Sequence, residues 1–181
     1  MKILAFAGSL REGSWNKKLL KLAAEALTNM GHEVEIYDLA PLPLINEDLE
    51  ANGPPPTVAP FRDAVERADA VLIATPENNH SVPAVTKNAV DWLSRPPRNL
   101  LKGKVVAIMG ATIGHFGTVN AQRELRWILT RLEAFAVPAP WLLVTYAVKA
   151  FDENGRLVEE RYTKTLEKLM ATFVDLAQKL A

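Results

Sequence analysis

The stretch Ile3-Leu4-Ala5-Phe6-Ala7-Gly8-Ser9-Leu10-Arg11-Glu12-Gly13-Ser14-Trp15-Asn16 governs how the rest of the chain is read. The continuous apolar run from Ile3 to Ala7 has the character of a parallel strand buried on both faces. A polar loop punctuated by Gly8 and Gly13 follows, and a helical pattern begins near Asn16. A strand feeding such a loop into a helix places unpaired first-turn N–H groups and the positive end of the helix dipole over the loop. Ser9, Ser14 and Asn16 add short side-chain donors, and Arg11 adds a guanidinium able to fork onto phosphate oxygens. The loop reads as a phosphate cradle. An ordinary turn with Ser14 or Asn16 as N-cap shares part of this pattern.

Two familiar phosphate loops do not fit. Gly8 and Gly13 have Walker spacing, but Ser14-Trp15 stands where Lys-Ser/Thr is needed for the phosphates and magnesium. A dinucleotide fingerprint needs Gly-x-Gly-x-x-Gly, and Leu10 occupies the second glycine, where a pyrophosphate must approach the backbone. The loop suits a phosphate monoester held by hydroxyls and one arginine.

Outward from this loop, Leu19, Leu20, Ala23, Ala26, Leu27 and Met30 recur at helical spacing, and Gly31 supplies the stop. Val34 to Tyr37 reads as strand two. The proline-rich run from Pro41-Leu42-Pro43 to Gly53-Pro54-Pro55-Pro56 reads as a long ordered loop. A helix from Thr57 or Pro60 to Arg67 leads to a buried strand, Ala70 to Thr75, and a second polar loop, Pro76-Glu77-Asn78-Asn79-His80-Ser81. Helix three starts around Val82-Pro83 and runs to about Ser94. Strand four, Lys104 to Met109, enters a third loop, Gly110 to Gly117, and helix four extends to about Glu133. Trp141 to Val144 reads as strand five. Phe151 to Val158, turning at Asn154-Gly155, precedes a last helix carrying Tyr162, Leu166, Met170, Phe173 and Leu180.

Five strands alternating with helices predict a doubly wound α/β sheet, and right-handed crossovers favour the order 2-1-3-4-5. The polar loops follow strands one, three and four, so they gather at the switch point between strands one and three. At 181 residues the chain is expected to form a single domain, 1–181. Twenty-one basic and 21 acidic residues give zero net charge, which argues against a nucleic-acid surface. The absence of cysteine excludes thiolate metal sites and cysteine nucleophiles, and the three histidines lie in separate segments. No apolar run reaches membrane-spanning length, and the short N-terminal run does not make a signal peptide; a cytoplasmic protein is expected.

Several blocks together carry a resemblance. Gly8-Ser9-Leu10-Arg11-x-Gly13-Ser14-x-Asn16 resembles the phosphate loop of the NAD(P)H-dependent FMN reductases, a flavodoxin-like family that includes quinone, azo-dye and chromate reductases. Leu42-Pro43-Leu44-Ile45-Asn46-Glu47-Asp48 is similar to the family's segment after strand two. Thr75-Pro76-Glu77-Asn78-Asn79-His80-Ser81-Val82-Pro83, with Lys87-Asn88-Ala89-Val90-Asp91-Trp92-Leu93-Ser94-Arg95-Pro96, resembles the second signature. Gly114-x-x-Gly117 with Gln122 and Leu125-Arg126 resembles the third. These blocks occur in order over nearly the whole chain.

The resemblance implies FMN, with its phosphate on Ser9, Arg11, Ser14 and Asn16 and with Trp15 beside it. It puts the isoalloxazine against Pro76, Glu77, Asn78, Asn79 and Ser81, with Gly114, His115 and Gly117 along the ring. It also implies NADPH or NADH as donor, a small-molecule electron acceptor, and a homodimer or homotetramer. The sequence departs from the family at Asn78, where Tyr is usual, at Asn120, where Arg is usual, and at Thr118, where Gly is usual.

The chemistry so implied is hydride transfer between stacked rings roughly 3–3.5 Å apart, followed by electron transfer to an acceptor in the same site. No acid–base residue is required for the first half, although His80 and His115 sit on site loops and are candidates to protonate a quinone. Two other readings remain open: a non-catalytic FMN electron carrier, and a nucleotide-processing transferase or hydrolase using Glu77 or Asp91 as nucleophile. Trp92, Trp127 and Phe135 are expected in the core or at an interface, and Asp91 and Arg95 are expected to pair at i, i+4.

Overall fold

The computed structural model describes residues 1–51 and 53–181; residue 52 of the proline-rich stretch lies outside the described residues. The strands are β1 (Lys2–Ala7), β2 (Glu33–Tyr37), β3 (Ala70–Ala74), β4 (Val105–Ala111), β5 (Phe135–Ala136) and β6 (Leu142–Val144). The helices are α1 (Trp15–Asn29), α2 (Ala59–Arg67), α3 (Ala84–Ser94), α4 (Val119–Arg131), α5 (Ala147–Ala150) and α6 (Glu160–Leu180). The sheet is parallel throughout, ordered β2-β1-β3-β4-β5, as a flavodoxin-like fold requires.

The two-sided burial of the central strands follows from their sequence. Alternate residues point to opposite layers. Ile3, Ala5, Ala7 and Leu72 pack with α1 and α6, while Leu4, Phe6, Val71 and Ile73 pack with α2, α3 and α4. In register, Ile3 faces Val34 on one side and Ala70 on the other, so β1 is central and its C-terminal loop opens between β1 and β3.

The fifth strand differs from expectation. The edge of β4 is covered by two pieces, Phe135–Ala136 beside Val105–Val106 and Leu142–Val144 beside Met109–Ala111. Pro138 and Pro140 stand between them and lack the N–H that a continuous ladder needs. Two further features were not foreseen. A single 3₁₀ turn, Glu47–Glu50, lies inside the proline-rich loop. The short helix α5 follows β6. The turn expected at Asn154-Gly155 is present: Phe151 pairs with Leu157 across it, and Gly155 has φ +76°.

The proline-rich segment is fastened to α3. The Pro43 carbonyl accepts from both Asn88 Nδ2 and Trp92 Nε1 at 2.8 Å, and Ile45 N–H donates to Asn88 Oδ1 at 2.8 Å. Trp92 is thereby a core residue with its indole N–H satisfied. The expected Asp91–Arg95 pair does not form. Lys87 takes Asp91 at 2.7 Å, while Arg95 reaches Glu50 at 2.7 Å through Nε. The cause is the following proline, which keeps Arg95 extended (φ −70°, ψ 153°) and off the helical face.

Candidate functional site

At the C-terminal edge of β1, β3 and β4 a cleft of about 500 Å³ is lined by the first loop, the second loop and the start of the third. Ser14 begins α1. Its backbone is extended (φ −64°, ψ 129°) and its Oγ accepts the Asn16 N–H at 3.2 Å, so the hydroxyl hydrogen is free to donate into the cleft. Ser14 is 2% exposed, and the first turn of α1 carries no acidic side chain that would fill the helix N-terminus. Ser9 and Arg11 line the same end, with the exposed Arg11 guanidinium folded beside Gly13. The donor set fits a phosphate monoester.

Asn16 has a different office from the other loop donors. Its side chain clamps β4, donating to Ala111 O and accepting from Ala111 N, each at 2.9 Å. This ties the first loop to the third and leaves one amide N–H uncommitted. Trp15 lines the cleft but also stacks on Phe151 at 5.4 Å, with the Lys18 ammonium 4.3 Å from its ring.

Glycine is required where elements close on one another. A Cβ on Gly8 would fall 1.8 Å from Thr86 Oγ1, and Thr86 is itself bonded to Thr75 Oγ1 at 3.1 Å. The close approach draws the N-terminus of α3 over the end of β1.

The second loop is a tight hairpin. Asn78 and Ser81 exchange backbone hydrogen bonds at 3.2 and 3.0 Å around Asn79 and His80, which have φ values of 51° and 61°. Positive φ at both central residues is the signature of a type I′ turn, for which Asn is suited and a histidine is unusual. Pro76, Glu77 and Asn78 line the cleft; Asn79 and Ser81 do not. Ser81 is committed elsewhere, donating its hydroxyl to Glu124 Oε2 at 2.6 Å, beside the Val82 N–H at 3.0 Å. The Ser81 hydroxyl first, and then the Val82 N–H, hold the Glu124 carboxyl below its ordinary range.

Glu77 caps α4. Its Oε2 accepts the Ala121 N–H at 2.9 Å and its Oε1 accepts Asn120 Nδ2 at 3.2 Å. Both oxygens are occupied in holding a helix terminus, an arrangement suited to positioning and poorly suited to nucleophilic attack. Asn120, one of the departures from the family pattern, is the side chain that joins this cap.

In the third loop Thr112 and Ile113, not Gly114, His115 or Gly117, line the cleft. The chain turns away because Gly114 O accepts the Tyr146 N–H at 3.1 Å, and Gly117 (φ +66°) sits against Leu143, where a Cβ would meet Leu143 Cβ at 2.8 Å. His115 lies at a 41° tilt against Phe116 at 3.8 Å, and His80 meets Phe116 edge-on at 6.2 Å. The lining residues Pro83, Ala84 and Val85 were missed in sequence. The proline at the helix start was legible, but not that α3 opens onto the cleft. No group of three or more potential metal ligands occurs among the described residues, and none of their helices is long and apolar enough to cross a membrane.

Residues 1–149 match the model of the NADPH-dependent FMN reductase family. The chain belongs to that family. It is 42% identical over 168 residues to an NAD(P)H-dependent FMN reductase of Pseudomonas aeruginosa, covering 93% of this chain and 90% of that protein. It is 39% identical to an NAD(P)H:quinone oxidoreductase of Solanum tuberosum, covering 99% and 94% of the two chains. Among solved structures it superimposes on FerB, a flavoenzyme NAD(P)H:(acceptor) oxidoreductase from Paracoccus denitrificans. The TM-score is 0.89 and the identity 33%, over 98% of this chain and 97% of that one.

Proposed function

We propose that this chain is an NAD(P)H-dependent FMN reductase that passes two electrons to quinones or similar small acceptors, free flavin included. The observation that carries the reading is Ser14, a buried N-cap whose hydroxyl hydrogen is left free over a helix start devoid of acidic side chains. Ser14, Ser9 and Arg11 hold the 5′-phosphate together with the first-turn N–H groups of α1. Pro76, Glu77 and Asn78 form the wall along which the ring edge would lie, and Val85 and Ile113 supply apolar walls. Bound there, FMN supplies two-electron chemistry between a pyridine nucleotide and the acceptor. The chain's part is to bind, to orient and to leave one face of the cleft open.

The relatives named for FMN and quinone reduction support this acceptor class. We extend the reading to one domain over residues 1–181 and to a homodimer or homotetramer, supported by Trp127, which is 66% exposed on α4. The cytoplasm, where reduced pyridine nucleotides are made, is the proposed compartment. The test is an absorbance titration with FMN, followed by anaerobic NADPH or NADH. A visible flavin band that bleaches with one of them, and returns on adding a quinone, supports the reductase. Flavin that binds and is never bleached makes the chain a carrier; no binding overturns the reading.

A further inference from the structure

His80 occupies a position that its own backbone disfavours. Its φ of 61° lies in the left-handed region, at a turn position where glycine is favoured, yet a titratable ring is kept there. Its Nδ1 faces Glu77 Oε1 at 3.7 Å and Asn120 Nδ2 at 3.5 Å. Glu77 lines the cleft, so the imidazole stands one side chain from the cleft wall. The side chain is 72% exposed and meets Phe116 edge-on at 6.2 Å, beside the cleft rather than among its lining residues.

The groups around this ring are few. Glu77 is the facing charge from its own turn and Asn120 the facing polar group from α4. Phe116 faces it from the third loop, with His115 packed at a tilt against Phe116. Glu124 is spent on Ser81 and Val82. When His80 is protonated, Glu77 balances the imidazolium. An exposed imidazole with a carboxylate 3.7 Å from one nitrogen, next to the cleft wall, has the parts of a proton donor that solvent can recharge.

We propose that His80 is the catalytic proton donor to the acceptor, a quinone, and that Glu77 and Asn120 are its positioning residues. The inference rests on the reductase reading above. The overall balance is quinone plus NAD(P)H plus H⁺ giving hydroquinone plus NAD(P)⁺. The hydride brings two electrons and one proton, which form one new bond to hydrogen. His80 Nε2–H supplies the second proton to the quinone oxygen that gains negative charge, and solvent reprotonates the ring.

The experiment compares acceptors that do and do not need a proton. His80→Asn and His80→Gly both suit a left-handed turn, so each preserves the hairpin. The expected result is that reduction of benzoquinone falls about tenfold or more in both variants, whereas ferricyanide, which takes electrons alone, is reduced within about twofold of the parent rate. Added imidazole restores benzoquinone reduction in His80→Gly. Quenching of FMN fluorescence on binding is unchanged. An NMR titration of the His80 Cε1–H in the flavin-free protein gives a pKa that coincides with the break in the benzoquinone pH–rate profile. Equal losses with both acceptors, no loss with benzoquinone, or no rescue by imidazole overturns the proposal. If the parent protein neither binds FMN nor oxidises NAD(P)H, the reductase reading fails, and that failure is visible before any variant is compared.

Discussion

Glu77 Oε2 accepts the Ala121 N–H at 2.9 Å, so a loop that follows β3 caps the helix that follows β4. The relation is reciprocal, because Glu124 on that helix holds Ser81 and Val82 of the same loop. The second loop and the start of α4 are thus one mechanical unit, built by two carboxylates crossing in opposite directions. Replacing Glu77 by Ala removes a cap from α4 and orphans the Asn120 amide. Urea unfolding is expected to show a loss of about 1–2 kcal/mol, with faster amide exchange in the first turn of α4. Unchanged exchange there would contradict the cap.

The Glu124 contacts give this unit a pH dependence. A carboxyl whose folded pKa is depressed contributes stability above its unfolded pKa, and that contribution is lost as pH falls through the lower folded value. The stability difference between the parent and Glu124→Gln should therefore be full at neutral pH and shrink as pH drops below the ordinary value of 4.5. Thermal melts of both proteins across that range measure it.

Ser14 separates capping from ligand binding. Glycine is a tolerable N-cap, so Ser14→Gly is expected to cost only a few tenths of a kcal/mol in stability. The lost hydroxyl donor should weaken FMN binding about 10- to 100-fold, read by fluorescence quenching. A loss of stability without a loss of affinity would leave Ser14 as a cap alone.

Asn16→Leu leaves the buried Ala111 N–H and C=O without partners. Stability should fall by about 2–3 kcal/mol, measured by denaturant unfolding. An effect confined to FMN affinity would mean that the clamp to β4 is not a structural one.

Gly8→Ala drives a methyl group into Thr86 and is expected to cost about 3 kcal/mol. Thr86→Ala in the same chain removes the nearest atom, so the double variant should recover part of that loss. A double-mutant cycle without coupling would show that the clash is relieved by backbone movement instead.

These contacts show what the sequence could and could not reveal. The buried parallel strands, their order and the N-cap role of Ser14 were legible because apolar runs and cap residues act locally. Asn16 was legible as a polar loop residue, but its partner lies 95 positions away in sequence. Glu77 stood out as a carboxylate at a strand end, yet its partner is 44 positions away, so a cap was open to reading as a nucleophile. Arg95 was placed on a helical face because i, i+4 spacing says so, and the proline after it overruled that spacing. The split fifth strand was missed for a related reason: Phe135–Ala136 is two residues long, below what any periodicity can mark.

The crossed carboxylates have one further result. Of the three helices that follow the cleft strands β1, β3 and β4, two have starts that already face a negative side chain, Glu124 by α3 and Glu77 by α4. Only α1 meets the cleft with its polarity unanswered. A ligand with one anionic end and one flat, weakly polar end therefore has a single address for its charge and can enter in a single direction. The fold sorts head from tail before any contact with the ring is made.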